Sequence, residues 1–178
     1  MVLSTCTHAT IENMNKNHES YIQNDTLHLN KSAIFFLPAV YIILHTLEEL
    51  PGFAIWVETH FGSHPTSMFA AQHIVIWLLI FLFSYMAYRK ERHGVWVVLA
   101  TAAQIQFAFN ALFHLGTFLI FQAYSPGMVT ASAIGLPLTI WFILRIRREG
   151  RISGKELGCA TLIGVVIAIL AISVLFIR

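Results

Sequence analysis

The stretch SAIFFLPAVYIILHTLEEL, residues 32–50, decides how this chain is read. It is apolar for most of its length and closes on His45-Thr46-Leu47-Glu48-Glu49. A helix crossing the hydrocarbon of a bilayer needs about 20 mainly apolar residues, and this stretch has that length. Ionisable side chains at the centre of such a helix cost roughly 2.5–3.5 kcal/mol each on insertion scales. Three of them in five residues therefore face a protein interior and call for partners.

Outward from this stretch the same texture recurs. The first apolar stretch runs from about Ser32 to Leu50 and extends toward Val57 through a kink at Pro51. Four more follow, near Ser67–Tyr88, Gly94–Gln122, Pro126–Ile146 and Leu157–Ile177. Across the 178 residues, 57% are hydrophobic, 11% are charged and the mean hydropathy is +0.69. A soluble domain carries roughly 25% charged residues. The expected fold is an all-α, polytopic membrane bundle of about five transmembrane helices, residues 32–178, preceded by a polar N-terminal tail, residues 1–31.

Charge places the loops. Arg89, Lys90 and Arg92 follow the second stretch, and Arg145, Arg147, Arg148, Arg151 and Lys155 follow the fourth. The connections near Glu58–Pro65 and Ala123–Ser125 hold no Lys or Arg. By the positive-inside rule the N-terminus is cytoplasmic and the C-terminus outside, with Arg178 the one basic residue against the trend. The net charge of +2 comes from these loops and gives no case for nucleic acid. The expected setting is a prokaryotic cytoplasmic membrane. Cys6 and Cys159 read as unpaired, and the polar first 30 residues contain no secretory signal.

The polar residues inside the spans point to one site. Successive helical residues are about 100° apart, so Glu48 lies about 60° to one side of His45 and Glu49 about 40° to the other. Gln106, Asn110, His114 and Thr117 form a second polar face on the third stretch, and Gln72 and His73 come early in the second. With the topology above, His45, Glu48, Glu49, His73, Asn110 and His114 share a depth in the outer half of the membrane. His8, His18, His28, His60, His64 and His93 fall in polar stretches and read as exposed.

Imidazoles and carboxylates from several helices make a donor set for zinc first, and for iron or manganese. A catalytic zinc keeps three protein ligands and one open position. The expected metal ligands are His45, Glu49, His73 and His114. Glu48 is the expected general base and Asn110 the residue that orients a ligand or donates to an oxyanion. Pro51 removes a backbone donor and clashes with the Leu47 carbonyl, so the helix should kink or end just after the acids.

This His-x-x-Glu-Glu run resembles the signature of a family of small bacterial and archaeal membrane proteins named for its HXXEE motif. Here His45, Glu48 and Glu49 match the signature, and His73, Asn110 and His114 are candidates for its further polar positions. The resemblance spans roughly residues 33–175 and implies a metal-dependent enzyme, without naming a substrate. The function expected is an intramembrane hydrolase acting on a lipid or amphiphile at the outer leaflet. A proton- or cation-coupled transporter and an accessory subunit are the competing classes. A di-iron oxidoreductase is less well matched, because one acidic cluster is present where such sites use Glu-x-x-His pairs on two helices. The fifth stretch, without an ionisable residue, reads as scaffold or as a homo-oligomer contact.

Overall fold

The computed structural model describes residues 32–62 and 66–175. The expected tail 1–31, His64 and Arg178 lie outside the described residues. Contacts along the chain divide it into Met1–Ile34 and Phe35–Arg178, and the second unit is the helical bundle. Six α-helices carry it, with no strand among the described residues.

Helix α1, Leu37–Glu49, follows a 3₁₀ turn and has Pro38 in its first turn, where the missing N–H is not needed. It ends where Pro51-Gly52 was expected to break it. The Gly52 amide closes back on the Glu49 carbonyl at 3.1 Å, and α2, Phe53–His60, leaves at a bend of 65°. The first span is thus a broken pair, and its short second half folds back into the bundle. Phe53, Trp56 and Val57 of α2 pack with Phe69, Phe113 and Phe121 into an aromatic layer at one end.

Helices α3, Thr66–Lys90, and α4, Val95–Phe121, are long enough to span a bilayer. The turn between them needs left-handed backbone at Glu91, His93 and Gly94. More than half of α4 is buried, against less than a third of each other candidate span, so α4 is the central helix. A π-helical turn, Thr130–Gly135, runs into α5, Leu136–Arg148. Pro137 accounts for the widened turn, because its ring would collide with the carbonyl four residues back in a regular helix.

Helix α6, Gly154–Val174, opens with a capping box between Ser153 and Glu156. It makes its broadest contact with α4. The contact is close because the residues are small: a Cβ on Gly164 would lie 2.8 Å from the Ala102 carbonyl oxygen. Small residues are how membrane helices approach each other when lipid supplies no hydrophobic drive. Outward, α3 shows Ile74, Leu78, Leu79 and Leu82, an apolar surface suited to lipid.

Four helices cross by length and composition, or five with the broken pair as one span. This matches the expected architecture. The observed ends move by a few residues, and the fourth candidate span runs Thr130–Arg148 where a start near Pro126 was expected. The difference has a purpose: residues 122–129 form a strap that crosses the site.

Candidate metal centre

The site is built on Glu49. Placed at the last turn of α1, it is 4% exposed. Its Oε1 lies 3.3 Å from His45 Nε2, one turn earlier, and 3.5 Å from His114 Nε2 on α4. Its Oε2 lies 3.2 Å from His73 Nε2 on α3. Three helices therefore aim imidazole nitrogens at one carboxylate, as the shared depth of these residues led one to expect.

The far sides of the rings fix which nitrogens carry protons. His73 Nδ1 is 2.9 Å from the Phe69 carbonyl, which can only accept, so this nitrogen donates. His45 Nδ1 is 2.9 Å from Thr130 Oγ1. The Thr130 hydroxyl gives its own proton to the Gly127 carbonyl, so here too the ring donates. His114 Nδ1 meets Ser125 Oγ at 2.8 Å. On His45 and His73, neutral rings so held turn unprotonated Nε2 atoms toward Glu49, where lone pairs would face lone pairs, while the Ser125 hydroxyl can give or accept at His114. A proton or a cation between them relieves that repulsion. Among the described residues, buried His114 Nε2 has no hydrogen-bond partner within ordinary geometry, and Glu49 Oε1 at 3.5 Å is its nearby polar atom.

This donor set could hold a metal ion. Metal-bound histidines characteristically give the other ring N–H to an oxygen. His45, Glu49 and His114 each offer one ligand atom, all within 4.8 Å of one another. Two ligands each ~2.0–2.1 Å from a tetrahedral zinc stand roughly 3.3–3.4 Å apart, near the Glu49 distances. His73 faces the other carboxylate oxygen and falls outside that tight triplet. Asn110 Nδ2 meets His45 Nε2 at 2.7 Å and so shares the lone pair that a metal would use. A half-turn of the amide would present its oxygen instead.

Glu48 is not brought into the cluster. Its 60° offset sends it to the other flank of α1, where its oxygens accept from the Tyr124 hydroxyl and from the amides of Val129 (3.0 Å) and Thr130 (2.7 Å). It caps the start of the fourth span and pins the strap. The expected base Glu48 is therefore held by the strap and is not among the three residues of the tight cluster. Glu48 also acts on its partner: the carboxylate beside it, with burial second, pushes the Tyr124 phenol up to about 12.

Residues that sequence reasoning passed over complete the centre. A Cβ on Gly127 would lie 2.7 Å from Glu49 Cγ, 2.8 Å from His45 Cε1 and 3.0 Å from His114 Cε1. Only glycine lets the strap lie on all three ligands, and its φ of +95° also favours glycine. Ser125 and Thr130, from the same strap, hold two of the rings. The available signal was the Ser125-Pro126-Gly127 turn directly after a helix with a polar face. Trp77 of α3 donates to Thr46 at 3.2 Å and ties α3 to α1 beside the site.

A cleft of about 550 Å³ reaches the centre. His45, Glu49, Gln72, His73, Gln106 and Asn110 line it, while His114 and Glu48 do not.

Fold and site together define a class: an all-helical protein whose four to five apolar helices fit an integral membrane protein, with a buried His/Glu cluster able to hold a metal ion. Within that class, the profile of the family described as protein of unknown function with HXXEE motif matches residues 34–142, and the chain belongs to that family. The match takes in α1 to α4 and just over half of α5, and it stops short of α6, so it is shorter than the expected 33–175. Neither curated proteins nor solved structures give a match.

Proposed function

We propose that this protein is a metal-dependent intramembrane hydrolase acting on a lipid or amphiphilic substrate. The observation that carries the reading is the ring arrangement: each of three histidines has Nδ1 on an oxygen and Nε2 turned to the buried Glu49 carboxylate. His45, Glu49 and His114 would hold the ion, zinc first by donor type, with iron or manganese also suited to mixed nitrogen and oxygen donors. A divalent ion supplies Lewis acidity to a carbonyl or phosphoryl oxygen and makes a nearby water more acidic.

The chain's own groups divide the remaining work. A proton shared between His73 Nε2 and Glu49 Oε2 would orient the free carboxylate oxygen at the cleft wall, and this pair would exchange protons there. Asn110 Nδ2 points at the same end of the cleft, where a developing oxyanion needs a donor. Glu48 is the positioning residue for the strap. The basic loops support a cytoplasmic N-terminus, which puts the centre in the outer half of a cytoplasmic membrane.

The test is elemental mass spectrometry on purified protein. About one zinc, iron or manganese per chain is expected, and its loss in His114→Ala with retained helicity. Metal-free protein, unchanged by that substitution, overturns the reading. Turnover in detergent without an ion gradient separates a hydrolase from a proton-coupled transporter.

A further inference from the structure

The cleft has two chemically different ends. At one end stand His45, Glu49, His73 and Asn110. Gln72 and Gln106 also line the cleft, and the remaining walls are apolar, with Val75 and Ile76 of α3 on one side and Ala168, Ala171 and Ile172 of α6 on the other. Both walls rest on α4, which forms the floor through Phe107 and Phe113.

The rim of this cleft lies on the surface of the bundle. Val75 is 57% exposed although it lines the cleft, and Ala171 on the facing helix is also exposed. Neighbouring residues on the two helices, Ile74, Leu78, Ile167 and Leu170, form apolar outer surface. In a bilayer the opening between α3 and α6 would face hydrocarbon. Its α3 wall runs from Phe69 to Ile76 and its α6 wall from Ala168 to Leu175. Seven helical steps are about 10 Å, so the cleft covers only part of a membrane's depth.

We propose that the cleft is a lateral binding site for one acyl chain of a single-chain amphiphile, with the polar carbonyl end of that molecule at His45, Glu49 and Asn110. The inference rests on the proposed hydrolase reading for the identity of the polar end. Three observations select this ligand. The side opening admits molecules from lipid. The volume lies within the roughly 300–1,000 Å³ typical of small-ligand sites. The small side chains of Ala168 and Ala171 leave a slot where leucine on α6 would fill it.

The experiment is photolabelling of the purified full chain in detergent with a sixteen-carbon fatty acid that carries a diazirine in the half of its chain nearer the carboxyl group. Saturable labelling is expected on the peptides containing residues 69–76 and 168–175. Unlabelled palmitic acid should compete at least ten-fold better than dipalmitoyl phosphatidylcholine. Ala171→Trp at the exposed rim should cut labelling at least ten-fold, and Val75→Trp on the opposite rim repeats the test by an independent route. Non-saturable labelling spread over the outer faces of the helices, equal competition by the two-chain lipid, or full labelling of both rim variants overturns the proposal. Metal content is measured on the same preparations by elemental mass spectrometry, so saturable, rim-sensitive labelling of metal-free protein keeps this proposal while removing the metal reading.

Discussion

Replacing Gly127 by alanine adds one methyl group at the point where the strap presses on the centre. Two effects follow, and the structure allows them to be separated. The first is backbone strain: at φ +95° an L-residue is disfavoured, by roughly 1–2 kcal/mol. The second is contact. The new Cβ would lie 2.7 Å from Glu49 Cγ, 2.8 Å from His45 Cε1 and 3.0 Å from His114 Cε1. Carbon atoms pack comfortably at about 3.5–4.0 Å, so strap or ligands must yield by roughly 0.8 Å. Ligand distances in a metal site tolerate about ±0.2 Å, and overpacking of this kind costs roughly 1–3 kcal/mol. Gly94 supplies the control, with φ +90° and nothing within 4 Å of its notional Cβ. Thermal unfolding and metal titration should be run on both variants. Gly94→Ala should lose stability from strain alone and bind metal as the parent does. Gly127→Ala should be less stable still and lose metal affinity by a factor of roughly 10–100, the range seen when ligand support is disturbed. Equal metal affinity in the two variants would refute the reasoning.

Further outcomes follow from the same geometry. Glu48→Gln should keep the metal while loosening the strap. Spectrophotometric titration, with Tyr124→Phe as the difference reference, should show the Tyr124 phenol falling from about 12 toward its ordinary value near 10. The sign of the linkage is set by that raised folded value: the Tyr124 contribution is present below pH ~10 and lost as pH rises through about 12. At the other end of the bundle, burial raises the Glu149 carboxyl, but Arg151 and then Arg145 outweigh burial and hold it below the usual carboxylate range. Its contribution is present above pH ~4.3 and lost as pH falls through the lowered value, so Glu149→Gln should flatten the acid limb of stability measured against pH. His73→Ala, which removes a partner of Glu49 outside the tight triplet, should weaken metal binding without abolishing it, whereas His114→Ala should abolish it. Near-complete metal loss in His73→Ala would make that histidine a ligand.

How much of the fold and site is legible in the sequence depends on the range of each signal. Apolar runs report burial in lipid directly, so the five stretches and the Pro51 break can be read from residue order alone. Helical spacing also places His45 and Glu49 on one face, and depth matching brings in His73, Asn110 and His114. The role of Glu48 is hidden, because an offset of some 60° looks like the same face on a helical wheel yet meets a different neighbour. Its partners, Tyr124, Val129 and Thr130, lie more than 70 positions away in the chain. The strap is equally silent. Ser125, Gly127 and Thr130 show no periodicity, and their meaning comes only from a tertiary fold that lays them on the cluster.

X-ray absorption at the edge of the bound metal tests the central claim most directly. Purified protein should give a first shell of nitrogen and oxygen, with the outer-shell scattering of two imidazoles, from His45 and His114, and this signal should vanish in His114→Ala. A shell containing sulfur, or a signal unchanged by His114→Ala, would contradict a centre built on His45, Glu49 and His114.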